Sequence, residues 1–462
     1  MGISFGSINT GLPKDIVQQI MKAERMPLQK MEMRKAKHSE KMALVEQLTS
    51  LVEAVRGDVQ KNGNPRQLRE LTSAGRDDIL DITLDKNIAQ PGTHQFEVVQ
   101  LAQKSSAMTS GFEDPDNSYV GVGFIQYTLP NGDTKDVYID SDNASLKGIS
   151  KLVNGDRENG LTAAVINDGS DSETPWRLVL AFDGTGDNNR AEFPYFYFVD
   201  GEQDFYIEQE RPAHDAIVKL NGFEIEIPNN KTDSLIPGVT LDLLKAAPGE
   251  EFTIKIAEDV EKITEKIKNL VAELNAVLAF IKEQNTLDEK SDTTRTLGGD
   301  LILQTLESRI RASVFKDVKT DFGFKRIGEL GLTFQRDGSL QLDDKKFENG
   351  LAANYEMVSQ LLTGKFTIEG GKTDGFMDYI GEMAYNSLRN PDGLLHSRKR
   401  SMRIKIDQID RRIEDRERHL KAKERNLKNK FSRLEATVSR IQSQGAGLSA
   451  LGASAQGAVQ LG

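Results

Sequence analysis

Histidine is the residue whose spacing would most directly reveal a metal or acid–base site, because neutral imidazole binds transition metals and accepts protons near neutral pH. No two of the five histidines are three or four residues apart, the spacing that would place two ligands on one helix face. Cysteine is absent, which excludes disulfides, thiolate metal sites and cysteine nucleophiles. The pattern therefore predicts no transition-metal site among His38, His94, His214, His396 and His419.

Glycine-containing segments do not match phosphate-binding loops. The segment 363–366, Thr-Gly-Lys-Phe, lacks the upstream glycine and the following hydroxyl residue of a P-loop. Gly121 and Gly123 are not followed by the third glycine of a dinucleotide-binding turn, and the local pattern predicts no helix there. Because no motif for a nucleophile, a base or a cofactor is found, we predict that the chain is not an enzyme and binds no cofactor.

Acidic loops and aromatic residues are the remaining candidates for ligand binding. The loops 114–118 and 183–187 offer oxygen ligands that suit calcium, but neither has the glycine at position six or the glutamate at position twelve of an EF-hand. Weak calcium binding is left open as an alternative. Trp176 and the aromatic residues near Tyr195 could stack on a sugar, but their strand-like pattern favours burial in a core.

Charge is distributed unevenly along the chain. There are 60 basic and 71 acidic residues, a net charge of −11, which argues against general affinity for nucleic acid. Residues 106–212 contain 20 acidic and 7 basic residues, whereas residues 398–433 contain 15 basic and 6 acidic residues. The basic segment is either a solvated helix face or a docking surface for an acidic partner or for another copy of the chain.

Targeting signals are not found in the sequence. No run of about 18 apolar residues is present, so we predict no membrane insertion. Residues 1–12 lack a basic cluster followed by an apolar core, which predicts a chain without a cleaved secretory signal. A route that exports unfolded chains without cleavage would leave the same pattern.

The first part of the chain has helical periodicity. Helix-forming residues dominate from Pro13 to about Val59, and Pro27 predicts a break or kink near Met26. A stripe of apolar residues with spacings of four, three and four runs along this helix at Leu44, Leu48, Leu51 and Val55.

The last part of the chain has the apolar repeat of a coiled coil. The repeat passes through Ile406, Ile409, Ile413, Leu420 and Leu427, and then, with the frame shifted, through Phe431, Leu434, Val438 and Ile441. This stripe is too narrow to form a globular core, so the helix must lie against other helices. After Gln444 the chain is rich in small residues and is predicted to be disordered unless a neighbour orders it.

Between these ends the period changes to that of β-strands. Helical periodicity returns at Val260 and again after Asp300. Asp337-Gly338 predicts a two-residue hairpin turn, and either Asp343 or Asp344 is predicted to cap a further helix that carries residues 347–361. Alternating segments separated by glycine, proline and asparagine predict one short helix near 146–154 and antiparallel strands over 95–101, 177–182, 195–198, 216–220, 223–227 and 252–256.

The predicted fold is α+β and multidomain, with a helical coiled-coil root and leg built from both termini and two inserted antiparallel β-rich domains. The predicted parts are a terminal helical root that is partly disordered, residues 1–42 plus 424–462; a helical leg domain with a β-hairpin, residues 43–70 plus 262–423; a proximal β domain, residues 71–105 plus 213–261; and a distal β-rich domain, residues 106–212.

Several segments together resemble the flagellar hook-associated protein 2 family, the flagellar filament-cap proteins. Residues 11–28, Gly-Leu-Pro-Lys-Asp-Ile-Val-Gln-Gln-Ile-Met-Lys-Ala-Glu-Arg-Met-Pro-Leu, resemble the opening of these proteins with its Glu-Arg-x-Pro-Leu element. Similar segments follow in the order of the family at 96–103, 143–149, 153–154, 161–165, 177–180, 215–216, 236–241 and 331–343, and residues 406–442 resemble its terminal coiled coil.

The resemblance implies a structural cap at the distal end of the flagellar filament, outside the cell. Copies of the chain, about four to six, would form an annular plate that promotes folding and insertion of exported flagellin, prevents its loss and is needed for motility. Implied partners are the chain itself, flagellin, hook–filament junction proteins and a flagellar type III export chaperone, with export that cleaves no signal. The apolar stripes at Leu44, Leu48, Leu51, Val55, Ile406, Ile409, Ile413, Leu420, Leu427, Phe431, Leu434 and Val438 are the predicted contacts with other copies or with the filament.

Two alternatives remain open at this point. One is another flagellar axial component, such as flagellin or a junction protein, and the other is a surface adhesin carried on a coiled-coil stalk. The Asp337-Gly338 hairpin and the Glu24-Arg25-Met26-Pro27-Leu28 element favour the cap over another axial component.

Overall fold

The computed structural model describes residues 16–156, 158, 160–201, 203–286, 294–366 and 371–458, without the side chains of residues 193, 194 and 447–458. The chain divides into two units: unit 1 comprises residues 1–68 and 264–462, and unit 2 comprises residues 69–263. The predicted helix start at Pro13, the resemblance over residues 11–15 and the last four residues lie outside the described residues.

Helices form most of unit 1. In the described residues they are α1 (Ile16–Asn62), α2 (Pro65–Leu68), α3 (Leu146–Gly155), α4 (Val260–Asn285), α5 (Leu301–Phe315), α6 (Asp344–Ala353), α7 (Tyr355–Thr363), α8 (Phe376–Leu388) and α9 (Leu394–Ala458). Only α3 and the first turn of α4 belong to unit 2. The apolar faces predicted for α4 and α5 are at the centre of unit 1, where Ile267, Leu274, Leu303 and Ile310 are fully buried.

Strands form most of unit 2, and every described ladder is antiparallel. Unit 1 holds only two short hairpins among its described residues, β16–β17 and β18–β19. The strands are β1 (Leu71–Ala74), β2 (Leu80–Leu84), β3 (Gly92–Gln100), β4 (Ser106–Thr109), β5 (Gly123–Thr128), β6 (Thr134–Ile139), β7 (Leu161–Asn167), β8 (Trp176–Phe182), β9 (Glu192–Phe198), β10 (Ile207–Arg211), β11 (Ala216–Leu220), β12 (Phe223–Ile227), β13 (Lys231–Ile236), β14 (Val239–Leu243), β15 (Phe252–Glu258), β16 (Val318–Thr320), β17 (Gly323–Lys325), β18 (Leu332–Phe334) and β19 (Leu340–Leu342).

The described residues of unit 2 form two hydrophobic cores. The first is formed by the sheets β1-β15-β3-β11-β12 and β13-β14-β2, with Phe96, Val218 and Leu241 fully buried. The second is formed by the sheets β10-β4-β8-β7 and β6-β5-β9 with α3, where Ile125 and Ile149 are fully buried. The two cores support the predicted boundary between residues 71–105 plus 213–261 and residues 106–212. We retain this boundary, and the division of unit 1 into root and leg, as proposals.

The break predicted at Pro27 is absent, and the segment after Gln444, predicted to be disordered unless a neighbour orders it, is helical as far as Ala458. α1 runs without a break through Pro27, although proline lacks the amide that would donate the helical hydrogen bond. Met21 and Leu28, on either side of Pro27, are buried against α9, and this packing compensates for the lost bond. α9 continues past Gln444 to Ala458, because extending an existing helix avoids the cost of nucleation and alanine favours the helix.

A single helix predicted over 347–361 is two helices in the structure. Asp343 caps α6 by accepting a hydrogen bond from the Lys346 amide at 3.1 Å, which confirms one of the two predicted caps. Asn354 ends α6, and its side chain accepts a hydrogen bond from the Met357 amide at 2.9 Å. Asparagine therefore separates the helices by capping α7, a role that apolar periodicity does not reveal.

The hairpin predicted at Asp337-Gly338 is present, but its turn has three residues instead of two. The Gln335 amide donates to the Ser339 carbonyl at 2.8 Å, which leaves residues 336–338 as the loop. Gly338 has a φ of 89°, whereas Asp337 does not share the positive φ that a two-residue turn of this type requires. The predicted two-residue turn is therefore wrong, and the glycine instead forms the left-handed position of a longer hairpin loop.

Candidate assembly surface

Helices α1 and α9 lie side by side in opposite directions. Lys399 Nζ is 2.7 Å from Glu46 Oε1, and further along α9 the Asp410 Oδ1 atom is 2.6 Å from Lys35 Nζ. The residue numbers along α1 therefore decrease as those along α9 increase, so the two helices form an antiparallel pair. Exposed ion pairs contribute little to folding stability, so their main effect here is to favour one register of the two helices.

Glu24 lies between two cations of α9. Its Oε1 atom is 2.7 Å from Lys423 Nζ, and its Oε2 atom is 3.3 Å from Arg416 Nη2. The hydrogen bond from Lys423, together with the positive charges of Lys423 and Arg416, holds the pKa of Glu24 below its ordinary value, although partial burial opposes this. The carboxylate is therefore charged at neutral pH and ties the start of the described α1 to α9.

An apolar cluster accompanies these ion pairs between the two helices. Three of its members are buried and three are partly buried: Met21, Leu28, Leu420, Val17, Ile413 and Leu427. On α9 the described cluster ends at Leu427, and on α1 it begins at Val17, next to the first described residue. α1 therefore covers the apolar stripe of α9 only as far as Leu427 within the described chain.

The stripe predicted on α1 is mostly covered by the chain itself. Leu48 and Val55 have no solvent exposure, because α1 packs there against α8 and α9. Leu44 and Leu51 are half-buried. Leu48 and Val55 leave no surface for another molecule, so the structure does not support their predicted contact with other copies or with the filament. Leu44 and Leu51 remain candidates.

The predicted contact residues of α9 that lie at or before Leu427 differ in how deeply they are buried. Leu420 is buried in the cluster with α1, whereas Ile406, Ile409, Ile413 and Leu427 are half-buried. Each half-buried side chain therefore keeps some apolar surface in contact with water. These four positions remain candidates for contact with another helix.

Beyond Leu427 the apolar stripe of α9 continues outside the described cluster. Phe431 and Val438 are half-buried, and Leu434 and Ile441 are 46% and 61% exposed. A half-exposed stripe at this spacing is typical of one coiled-coil strand that lacks its partner. We call Phe431, Leu434, Val438 and Ile441 the carboxyl-terminal seam.

A second exposed apolar surface lies in unit 2, and the sequence prediction missed it. Tyr195 was expected in a core, but Tyr195 and Tyr197 are 59% and 47% exposed on the outer side of β9. Phe124 and Tyr138 lie beside them on β5 and β6, and we call these four residues the aromatic face. Alternation in a strand shows which residues share a face, but not which face of the sheet is covered. Trp176 packs against the second core of unit 2, as predicted.

The acidic loops use their carboxylates internally. Asp114 Oδ1 accepts hydrogen bonds from the amides of Asn117 and Asp116, both at 2.8 Å, and these bonds hold the pKa of Asp114 below its ordinary value. In the other loop, Asp187 Oδ1 is 3.1 Å from Arg190 Nη2. Among the described residues, no group of three or more His, Cys, Asp or Glu side chains could hold a metal ion.

A helix that crosses a membrane has to be both long and predominantly apolar. No helix among the described residues meets both requirements. Even α9, the longest of the described helices, has a mostly charged surface along residues 398–433.

Two models of one protein family match the chain. The model described as the flagellar hook-associated protein 2 C-terminus matches residues 213–443, which is half of the chain. The model described as the flagellar hook-associated protein 2 N-terminus matches residues 11–105. The matched ranges include the described α1 and the carboxyl-terminal seam.

Individual proteins are also similar to the chain. The chain is 26% identical to the B-type flagellar hook-associated protein 2 of Pseudomonas aeruginosa over 66% of this chain and 68% of that protein. The flagellar cap protein FliD D1-D2-D3 domains from Escherichia coli share its fold, with a TM-score of 0.55, 20% identity, and coverage of 78% of this chain and 100% of that chain. The flagellar cap protein FliD from Bdellovibrio bacteriovorus is 44% identical over 39% of this chain and 99% of that chain, with a TM-score of 0.36.

Proposed function

The chain belongs to the flagellar hook-associated protein 2 family, and on that premise we propose how it acts as the cap at the distal end of the flagellar filament. It is a structural protein of flagellum assembly and motility, not an enzyme. In this proposal, copies of the chain assemble into an annular oligomer through their α9 helices. The oligomer promotes the folding and insertion of exported flagellin and prevents its loss.

The carboxyl-terminal seam is the observation that supports assembly through α9. Leu434 and Ile441 expose about half of their surface, and Phe431 and Val438 expose less. An apolar side chain of this size contributes about 1.5–3 kcal/mol when it is fully buried. Four such residues in each copy therefore supply a substantial part of the free energy needed to hold neighbouring helices together.

The distribution of charge on α9 supports the same location for contact between copies. Residues 398–433 carry 15 basic and 6 acidic residues, so two copies of this segment repel each other. Residues 434–444 carry one acid, Glu435, and one base, Arg440. Like helices therefore approach one another most easily at the seam, whereas the basic segment suits acidic partners.

Further parts of the proposal concern partners and export. We propose a closed ring of about four to six copies, in which each copy contacts the next through a repeated head-to-tail interface. The proposed partners are flagellin, the hook–filament junction proteins and an export chaperone, and the proposed route is the flagellar type III apparatus without signal cleavage. The absence of cysteine suits a chain that is threaded unfolded, because no disulfide has to form after export.

Sedimentation velocity of the full chain at a concentration on the order of tens of micromolar tests assembly through the seam. The wild type is expected to form closed rings or stacked plates, and the double variant Leu434→Asp, Ile441→Asp is expected to sediment as a monomer. The matched control is Leu244→Asp, which changes a comparably exposed leucine in unit 2 and should assemble normally. A strictly monomeric wild type with ordered termini, or a seam variant that assembles like the wild type, would overturn the proposal.

A further inference from the structure

Unit 1 carries two exposed phenylalanines on a short hairpin. Phe322 lies in the turn between β16 and β17, Phe324 lies in β17, and their exposed fractions are 46% and 69%. Val318 and Thr320 of the same hairpin are buried, so the hairpin has one side on the core of unit 1 and one side in solvent. We call residues 318–325 the phenylalanine hairpin. Exposed aromatic rings supply much of the energy of protein interfaces when a partner covers them.

Side-chain hydrogen bonds hold the turn of this hairpin in place. The Asp321 amide donates to Gln360 Oε1 at 2.9 Å, and Gln360 Nε2 donates to Asp321 Oδ2 at 3.0 Å. The other carboxylate oxygen of Asp321 pairs with Lys365. Thr320 Oγ1 accepts a hydrogen bond from the Phe322 amide at 3.1 Å. The backbone that carries the exposed rings is therefore fixed before a partner binds, which lowers the entropic cost of binding.

An open groove lies elsewhere on unit 1. It has a volume of about 560 Å³ and is lined by residues of α4, α5 and the loop between β18 and β19. The buried Leu278 and Ile281 form an apolar floor, and Lys282, Arg311 and Arg336 place three cations along it. We call this the α4 groove. None of its lining residues belongs to the phenylalanine hairpin, so the hairpin and the groove are separate sites on one unit.

The chemistry of the α4 groove suits aromatic rings. The guanidinium carbon of Arg311 lies 4.6 Å from the centroid of the Phe334 ring, so a cation–π contact is already present beside the groove. Arg336 is exposed and forms no ion pair with a described residue, which leaves its guanidinium free to contact a further ring. Phenylalanine rings that entered the groove would therefore contact both an apolar floor and a cation.

From this complementarity we infer that the phenylalanine hairpin of one copy docks into the α4 groove of the next copy. A projection and a matching groove at different places on one chain generate a head-to-tail contact, which closes into a ring when the rotation between copies permits it. The inference rests on the proposed function, because it identifies a second contact within the proposed ring. That contact lies in unit 1 and is separate from the carboxyl-terminal seam.

Charge favours this contact over a contact between two hairpins. Lys319 pairs with Phe324 in the register and shares its outer face, so two hairpins placed face to face would oppose like charges. The α4 groove contains Glu307, whose Oε1 atom accepts a hydrogen bond from Arg311 Nε at 3.1 Å and whose Oε2 atom is not used in that pair. Glu307 therefore offers Lys319 an acidic partner when the rings enter the groove. A second copy of the chain fits both the rings and the charge.

Crosslinking of single-cysteine variants tests the inference, because the chain has no cysteine of its own. Phe324→Cys places a thiol on the hairpin, and Ala279→Cys places one in the groove at an exposed position. A short bismaleimide is the crosslinker, because it spans the space left by the missing ring, which is too wide for a disulfide. A mixture of the two variants should give a crosslinked dimer that neither variant gives alone. Tyr385→Cys, at a similarly exposed aromatic residue of α8, is the control and should not crosslink to Ala279→Cys.

Sedimentation velocity gives an independent measurement. The double variant Phe322→Ser, Phe324→Ser should need about tenfold or more the wild-type concentration for half-maximal assembly, with unchanged helical circular dichroism. The inference is overturned if the mixture of cysteine variants gives no dimer, if Phe324→Cys crosslinks only to itself, or if the double variant assembles like the wild type.

The two proposals fail in different ways. If the seam variant is monomeric as expected but the hairpin does not crosslink to the groove, this inference is wrong and assembly through α9 stands. If the seam variant assembles normally and the crosslink forms, assembly through α9 is wrong and the contact between hairpin and groove stands.

Discussion

The α1 stripe and the carboxyl-terminal seam of α9 have similar apolar periodicity, but the described part of the chain fully buries residues of the α1 stripe alone. Leu48 and Val55 of α1 have no solvent exposure, whereas Leu434 and Ile441 of α9 are about half exposed. The difference does not come from the helices themselves, since both are long, polar on one side and apolar on a narrow stripe. It arises because other helices of unit 1 pack on the α1 stripe, whereas the described cluster on α9 ends at Leu427.

A narrow apolar stripe on a helix can therefore serve either folding or assembly. Apolar surface that is buried within one chain stabilises the folded chain, and apolar surface that is left exposed is available to stabilise an assembly. A change in the α1 stripe should therefore alter folding first, and a change in the seam should alter association first.

Deleting all residues after Ile404 should have the largest effect. This truncation removes the seam and the α9 side of the cluster with α1, so attachment to the filament tip should be lost completely. Unit 2 has its own two cores and should keep its β structure. Localisation in cells that lack their own cap protein measures attachment, and circular dichroism of the purified variant measures β-sheet content. Loss of all β-sheet signal would contradict the independence of unit 2.

Alanine substitutions in the α1 stripe and in the carboxyl-terminal seam should change the free energy of unfolding by very different amounts. Leu48→Ala leaves a cavity in a fully buried site and should lower the free energy of unfolding by about 2–5 kcal/mol. Leu434→Ala removes an exposed side chain and should change the free energy of unfolding of the dissociated chain by less than about 0.5 kcal/mol. Urea denaturation of dilute protein, followed by helical circular dichroism, measures both values. Equal destabilisation by the two changes would contradict the distinction between the covered and exposed stripes.

Acidification should loosen the α1–α9 pair to a smaller extent. Because Lys423 and Arg416 hold the pKa of Glu24 below its ordinary value of 4.5, the carboxylate stabilises the fold above that value. This contribution should be lost as the pH falls from about 4.5 through the lower pKa of the folded state. Glu24→Gln should reduce the loss of helical signal over this range in a pH titration of the wild type.

Glu32→Gln is the matched control for the acidification experiment, because Glu32 is an exposed acid on the same helix. The control should titrate like the wild type. If Glu24→Gln also titrates like the wild type, the ion pairs of Glu24 do not contribute to the pairing of α1 with α9.

The sequence predicted the faces of the helices and strands, but not what covers each face. The stripe of α4 at Ile267 and Leu274 was read from its spacing and is buried, because spacing decides which side chains share a face. Leu48 and Leu434 have the same kind of spacing, and only the packing of distant parts of the chain distinguishes them. The ion pairs of Glu24 were missed for the same reason, since their partners lie at the other end of the chain.

Two similar dipeptides lie in turns of different length. Asn221 and Gly222 both have positive φ, as a two-residue turn between β11 and β12 requires. The similar sequence Asp337-Gly338 lies in a three-residue loop, because the pairing of Leu332 with Leu342 sets the number of residues left over. Strand register is a property of two segments together, so one dipeptide does not determine it.

Hydrogen exchange of the full chain at low and high protein concentration tests most directly whether other copies cover the seam. Amides of residues 431–441 should exchange rapidly in dilute protein and become protected when the protein assembles, whereas amides of residues 45–55 should be protected equally at both concentrations. Equal protection of residues 431–441 at the two concentrations would contradict the account, because the seam would then be covered within a single chain or not covered at all.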